Sequence, residues 1–183
     1  MGVEHILSGV DHLLFVLALM LVVRGGRRLL ITVTAFTLAH SLTLIAATVG
    51  LLNVPGPPVE AIIALSIVFV AAEAVSVSRA RLTLTARAPW IVAFSFGLLH
   101  GLGFAGALAE VGLPPNAILL ALVSFNVGVE AGQLLFVLAM LALRGLLLPL
   151  GPRVRGRLDR SVAYGVGSVA SFWLIERVTA FWA

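Results

Sequence analysis

Six stretches of this chain, residues 3–23, 30–50, 59–78, 90–109, 117–143 and 161–182, each run for roughly twenty residues or more with few charges. That is the length a helix needs to cross the ~30 Å hydrocarbon core of a bilayer, and in lipid a helix satisfies its own backbone hydrogen bonds. Composition agrees, because hydrophobic residues make up 61% and charged ones only 11% of the 183 residues, against about 25% charged in a soluble domain. The reading is an all-α integral membrane protein. It is a six-transmembrane-helix bundle forming a single transmembrane domain over residues 1–183, with the lipid bilayer as partner.

The cations set an orientation. All twelve are arginines, and all but Arg177 fall in alternate gaps: Arg24, Arg27 and Arg28 in the first, Arg79, Arg81 and Arg87 in the third, and Arg144, Arg153, Arg155, Arg157 and Arg160 in the fifth. By the positive-inside rule those gaps are cytoplasmic and both termini lie outside (N-out/C-out), with a bacterial inner (plasma) membrane as the expected location. Arginines confined in this way encode membrane orientation, so the net charge of +4 does not imply nucleic acid as a partner. The outer turns, Val54-Pro55-Gly56-Pro57-Pro58 and Leu113-Pro114-Pro115-Asn116, are proline-rich, which ends one helix and suits the first turn of the next. Trp90, Trp173 and Trp182 are placed as interfacial anchors.

The first stretch has no basic leading region and carries His5, Asp11 and His12. It therefore reads as a retained helix rather than a signal peptide, and as one that can open a domain trimmed from a longer precursor. Helices 2–3 and 4–5 suggest a parallel repeat. Ala35-Phe36-Thr37 with His40 and a later Glu73 is echoed by Ala93-Phe94-Ser95 with His100 and Glu130. Shared helix-hairpin composition would give the same look.

Three of the four histidines, His12, His40 and His100, sit in the middle of apolar runs. Each is nine or ten residues from the outer end of its helix, so at 1.5 Å per residue they share one depth of roughly 14 Å. Ionisable side chains at such depth are costly and usually functional. In a straight first helix His5, Ser8 and His12 share a face, with the two imidazoles about 10 Å apart along the axis, too far to chelate one ion unaided. Asp11 is placed to orient an imidazole or to bind metal itself. Gly97 and Gly101 flank His100 as a small-xxx-small pair for close helix packing. Asn126, Glu130 and Gln133 form an inward polar stripe, with Asn126 in the histidine layer and Glu130 a turn deeper, near the depth of Glu73. Cysteine is absent, so a metal must be held by nitrogen and oxygen ligands.

Several of these segments resemble one known family. His5 followed after five residues by Asp11-His12 matches the His-x5-Asp-His signature of the HupE/UreJ family of nickel and cobalt permeases. Thr34-Ala35-Phe36-Thr37-Leu38-Ala39-His40-Ser41, Phe96-Gly97-Leu98-Leu99-His100-Gly101 and Phe125-Asn126-Val127-Gly128-Val129-Glu130-Ala131-Gly132-Gln133 are similar to the second HupE/UreJ subgroup. The resemblance implies His5, Asp11 and His12 as metal contacts, joined by His40 and His100.

Two functions stay open at this point. The first is a secondary permease for a divalent transition metal (Ni, Co or Zn), with His5, Asp11, His12, His40, His100, Asn126 and Glu130 as metal-binding residues along a descending path that continues to Glu73. The alternative is a metal-dependent, zinc-type intramembrane hydrolase, in which three histidines hold the ion, Asp11 or Glu130 acts as base and Ser41 helps polarise a carbonyl. Transport is favoured because a carrier needs stations at several depths. The partners expected are the bilayer and the metal ion, and a homo-oligomer is left open.

Overall fold

A computed structural model describes residues 1–111 and 118–182, excepting the side chains of 105–111 and 119. The described residues form helices and no strand: α1 Gly2–Ser8, α2 Val10–Val22, α3 Gly26–Thr48, α4 Gly56–Ser78, α5 Leu84–Arg87, α6 Pro89–Val111, α7 Ile118–Leu146 and α8 Gly151–Thr179. The expected proline turn at Leu113–Asn116 lies outside the described residues. The other one is seen, with prolines in the first positions of α4.

Among the described residues three helices are long and apolar enough to cross a membrane: Gly26–Thr48, Gly56–Ser78 and Leu120–Leu146. A fourth unit is made by α1 and α2 together, bent by 76°. The described apolar part of α6, Pro89–Phe104, is shorter. In α8 the sequence reading is corrected, because the arginine segment expected as a loop is already helical from Gly151. A proline in the first turn and arginines with good helix propensity explain that extension.

Burial is inverted relative to a soluble protein, in the way a lipid-facing surface requires. Leu38, Leu42, Val127 and Leu138 are more than half exposed, whereas Thr32, His40, Ser66 and Gln133 are fully buried. The hydroxyls of α3 are made compatible with that setting locally. Thr32, Ser41 and Thr48 each donate to the carbonyl four residues earlier at 2.7 Å, which satisfies the proton without a partner helix.

Helix packing is set by small residues. Gly97 and Gly101 of α6 lie against α3, where an added Cβ at Gly101 would collide with the His40 carbonyl oxygen and Thr43 Oγ1. This is the close approach expected of the pair. Gly128 and Gly132 of α7 receive the backbone of α1 at Gly2 and Val3. At one end α4 and α8 are tied by Arg79 donating to the Tyr164 hydroxyl (2.9 Å) and Arg160 donating to Ser78. At the other end they are tied by Arg177 with Glu60 (3.3 Å). A core of Phe15, Leu19, Phe36, Ile67 and Val70 fills the space between α2, α3 and α4. A smaller one, Ile6, Leu44, Leu122, Phe125 and Val129, lies under α1.

Candidate metal centre

The break between α1 and α2 decides the geometry of the site. A straight helix would carry His5 about 10 Å from His12, yet their ring centroids are 4.9 Å apart. The bend occurs at Gly9, whose φ of −77° and ψ of 87° leave helical geometry. Any Cβ there would lie 2.7 Å from the His5 carbonyl oxygen and 3.0 Å from His12 Nδ1, so the turn tolerates only glycine without displacing the histidines. The straight-helix spacing does not hold, and His5 lies beside His12 and beside His40 of another helix. Ser8, expected on the histidine face, is exposed and donates to the Glu4 carbonyl at 2.7 Å. Broken helices inside a membrane protein are tolerated where they line a buried site.

Around this bend the other histidines assemble. His12 lies 5.7 Å from His40 of α3 and 5.1 Å from His100 of α6, and His5 lies 6.2 Å from His40, all between ring centroids. Two three-ligand groups result, His5/His12/His40 and Asp11/His12/His100, each with its ligand atoms within 4.8 Å of one another. His12 belongs to both. Around a tetrahedral ion with bonds of about 2.1 Å, ligand atoms would sit about 3.4 Å apart. A contraction of about 1.4 Å at most separates the present arrangement from that geometry. Aromatic rings wall the cluster, with Phe36 5.1 Å from His100 and Phe104 4.0 Å from His5.

The hydrogen bonds show which imidazole nitrogens have protein partners. Ser66 Oγ of α4 lies 2.6 Å from the Ile63 carbonyl oxygen and 3.0 Å from His100 Nε2, and with its proton on the carbonyl it accepts from Nε2–H. His100 then presents an unprotonated Nδ1. Likewise Asp11 Oδ1 accepts from His12 Nδ1–H at 3.2 Å, leaving Nε2 as the lone pair. His100 Nδ1 and His12 Nε2 are two of the buried nitrogens without a protein partner, together with His5 Nε2 and both nitrogens of His40. Buried polar atoms are normally satisfied. A neutral imidazole offers one lone pair, so the four clustered rings can supply up to four nitrogen ligands, the kind of donor a borderline divalent cation takes.

The remaining expected residues divide. Glu130 receives the Thr34 hydroxyl on Oε1 at 2.6 Å, and Gln133 receives the Thr37 hydroxyl at 2.8 Å. Asn126 donates to its own helix at Leu122 (2.8 Å). Each keeps one atom unpartnered: Asn126 Oδ1, Glu130 Oε2 and Gln133 Nε2. Asn126 and Glu130, with Thr34 and Ser41, line a groove of about 320 Å³ between α3 and α7. Glu73 does not continue this series. Its two oxygens accept from the amides of Leu84 (3.0 Å) and Thr85 (2.6 Å), so it is engaged by the loop that opens α5. Ser41 has its proton on the Thr37 carbonyl. On the other side of the cluster Asp11 lines a small cavity with Glu60, Trp173 and Arg177. Neither Ser66 nor the Glu60/Arg177 pair stood out in the sequence, where a serine between Leu65 and Ile67 and lone charges near helix ends carry little signal.

The HupE / UreJ protein family model matches residues 1–177. The chain belongs to that family, which is associated with nickel and cobalt transport. No curated protein and no solved structure matches it.

Proposed function

We propose that the chain is a secondary permease whose substrate is a divalent transition-metal cation of the nickel or cobalt class. The observation that carries this reading is the pair of overlapping ligand groups built on His12, with their unpartnered nitrogens buried beside a broken helix. A site meant only to hold an ion needs one ligand set, whereas two sets sharing a ligand let an ion change partners without being released to hydrocarbon. In transporters, discontinuous helices place such sites near the bilayer midplane. The cation enters by Asp11 and Glu60, is held by His5, Asp11, His12, His40 and His100, and leaves by the α3/α7 groove past Asn126 and Glu130. The six crossings, the cytoplasmic arginine side and the bacterial inner membrane belong to the same proposal. Burial of a divalent ion requires such ligands because desolvation of an unpaired charge is prohibitive.

The hydrolase reading is the less favoured one, since the Ser41 proton is committed to the Thr37 carbonyl and the matched family is associated with transport. The test is uptake of Ni²⁺ or Co²⁺ into proteoliposomes containing a metal-sensitive dye. Wild type is expected to give flux, His12→Ala none, and Glu130→Gln a slower flux with binding at the histidines retained. Tight binding with no flux in wild type would overturn the proposal.

A further inference from the structure

On the arginine side the ends of α2, α4 and α7 and the starts of α3 and α8 enclose a cavity of about 1110 Å³. Arg24, Arg144, Arg153, Arg155, Arg157 and Arg160 line it, against the single lining carboxylate of Asp159. We propose that this cavity is a binding site for the phosphate headgroup of an anionic phospholipid.

The charge excludes the transported cation as its occupant, so the site is independent of the permease reading. Three of the guanidiniums already have work. Arg144 pairs with Asp159 at 2.9 Å, Arg160 donates to Ser78 and Arg155 donates to the Gly151 carbonyl. Arg24, Arg153 and Arg157 make no hydrogen bond or ion pair among the described residues. Guanidinium presents a planar fork of donors that fits phosphate oxygens in pairs. The start of α8, a helix of 29 residues, opens into the same cavity at Pro152 and adds the positive end of its dipole.

The shape points to a lipid rather than to a free anion. Beneath the arginine rim the walls are Met20, Val23, Leu29 and Ala74, so polar and apolar surfaces are stacked in the order in which a headgroup meets its acyl chains. The cavity also lies at helix ends, the level at which headgroups stand in a bilayer, where basic pockets between helices bind acidic lipid.

The experiment compares the full chain in neutral detergent with added phosphatidylglycerol, phosphatidylcholine or inorganic phosphate, scoring bound lipid by native mass spectrometry and stabilisation by thermal unfolding. Wild type should retain phosphatidylglycerol over phosphatidylcholine, and inorganic phosphate should not displace it. With each exposed arginine near the surface contributing about fivefold, the R153Q/R157Q double variant should retain it roughly thirtyfold less well. The R27Q/R81Q control removes as much charge from the same side but outside the cavity, and should lose clearly less than R153Q/R157Q. Equal retention of the two lipids by wild type, or equal losses in the two double variants, would overturn the proposal. If inorganic phosphate alone displaces the lipid and stabilises the chain equally, the cavity is a free-anion site and the lipid assignment falls.

Discussion

The two ligand groups make a sharp statement about single and double substitutions, because His12 is common to both while His5 and His100 each belong to one. His12→Ala leaves only two-ligand remnants, His5/His40 and Asp11/His100. A four-ligand zinc site is worth about 10–16 kcal/mol, so one nitrogen contributes on the order of 3 kcal/mol, or roughly 100-fold in affinity. His5→Ala behaves differently, since Asp11/His12/His100 is untouched. If the two groups are alternatives of comparable strength, only a statistical factor of ~2 is lost, about 0.4 kcal/mol. The same holds for His100→Ala, which leaves His5/His12/His40. The double variant His5→Ala/His100→Ala should fall back to the level of His12→Ala, a non-additivity of the kind expected for residues in one network. Titration calorimetry with Ni²⁺ and Co²⁺ on the purified protein reads these four affinities, and metal-free thermal unfolding separates them from folding defects. If His5→Ala or His100→Ala alone costs as much as His12→Ala, the ion is held by all the ligands at once and the two-position account is wrong.

Three further outcomes follow from particular contacts. Gly9→Ala should destabilise the fold by about 1–3 kcal/mol, because the new methyl meets the His5 carbonyl oxygen at 2.7 Å and overpacking costs that much; unchanged thermal unfolding and unchanged metal binding would contradict the tight turn. Ser66→Ala removes the acceptor that orients His100, so metal affinity should drop about 10- to 100-fold with the helical circular dichroism retained, and Ser66→Thr should restore much of it. A cysteine placed at Arg153 should escape an impermeant thiol reagent in intact cells while one at Leu52 is labelled, and the reverse pattern would invert the proposed orientation.

The depth count in the sequence was enough to bring His12, His40 and His100 together, because those residues lie in uninterrupted helical stretches where 1.5 Å per residue converts position into depth. It failed for His5, since one backbone break invalidates the count on its far side. Gly9, immediately before Val10-Asp11-His12, was the available signal, though a glycine in an apolar run more often serves packing, as Gly97 and Gly101 do here. Glu73 was misplaced for a related reason. Its depth matched that of Glu130, but a carboxylate is defined by what it faces, and the Leu84 and Thr85 amides arrive from a loop that periodicity cannot position. Membrane character survived all of this, because it rests on summed composition rather than on any one contact.

The placement of charge also bears on the direction a cation can take away from the histidines. Two cavities differ in the charge of their lining. One is rimmed by six guanidiniums against the lone carboxylate of Asp159, and a divalent ion approaching it would meet repulsion that low-dielectric walls strengthen. The other, between α3 and α7, carries the unpartnered oxygens of Asn126 and Glu130 and no cation among its lining residues. In the proposed permease, electrostatics favours the α3/α7 groove over the arginine-lined cavity as the path away from the histidines. One Glu130 oxygen is held by Thr34 and the other has no protein partner, so the proposed permease would find a positioned oxygen ligand there. On the opposite face Arg177 is bonded to Glu60 beside Asp11, so in the proposed permease an arriving cation would compete with a guanidinium for that carboxylate. In the proposed permease the Arg177–Glu60 pair would be a threshold before Asp11, and Glu130 an oxygen ligand beyond the histidines.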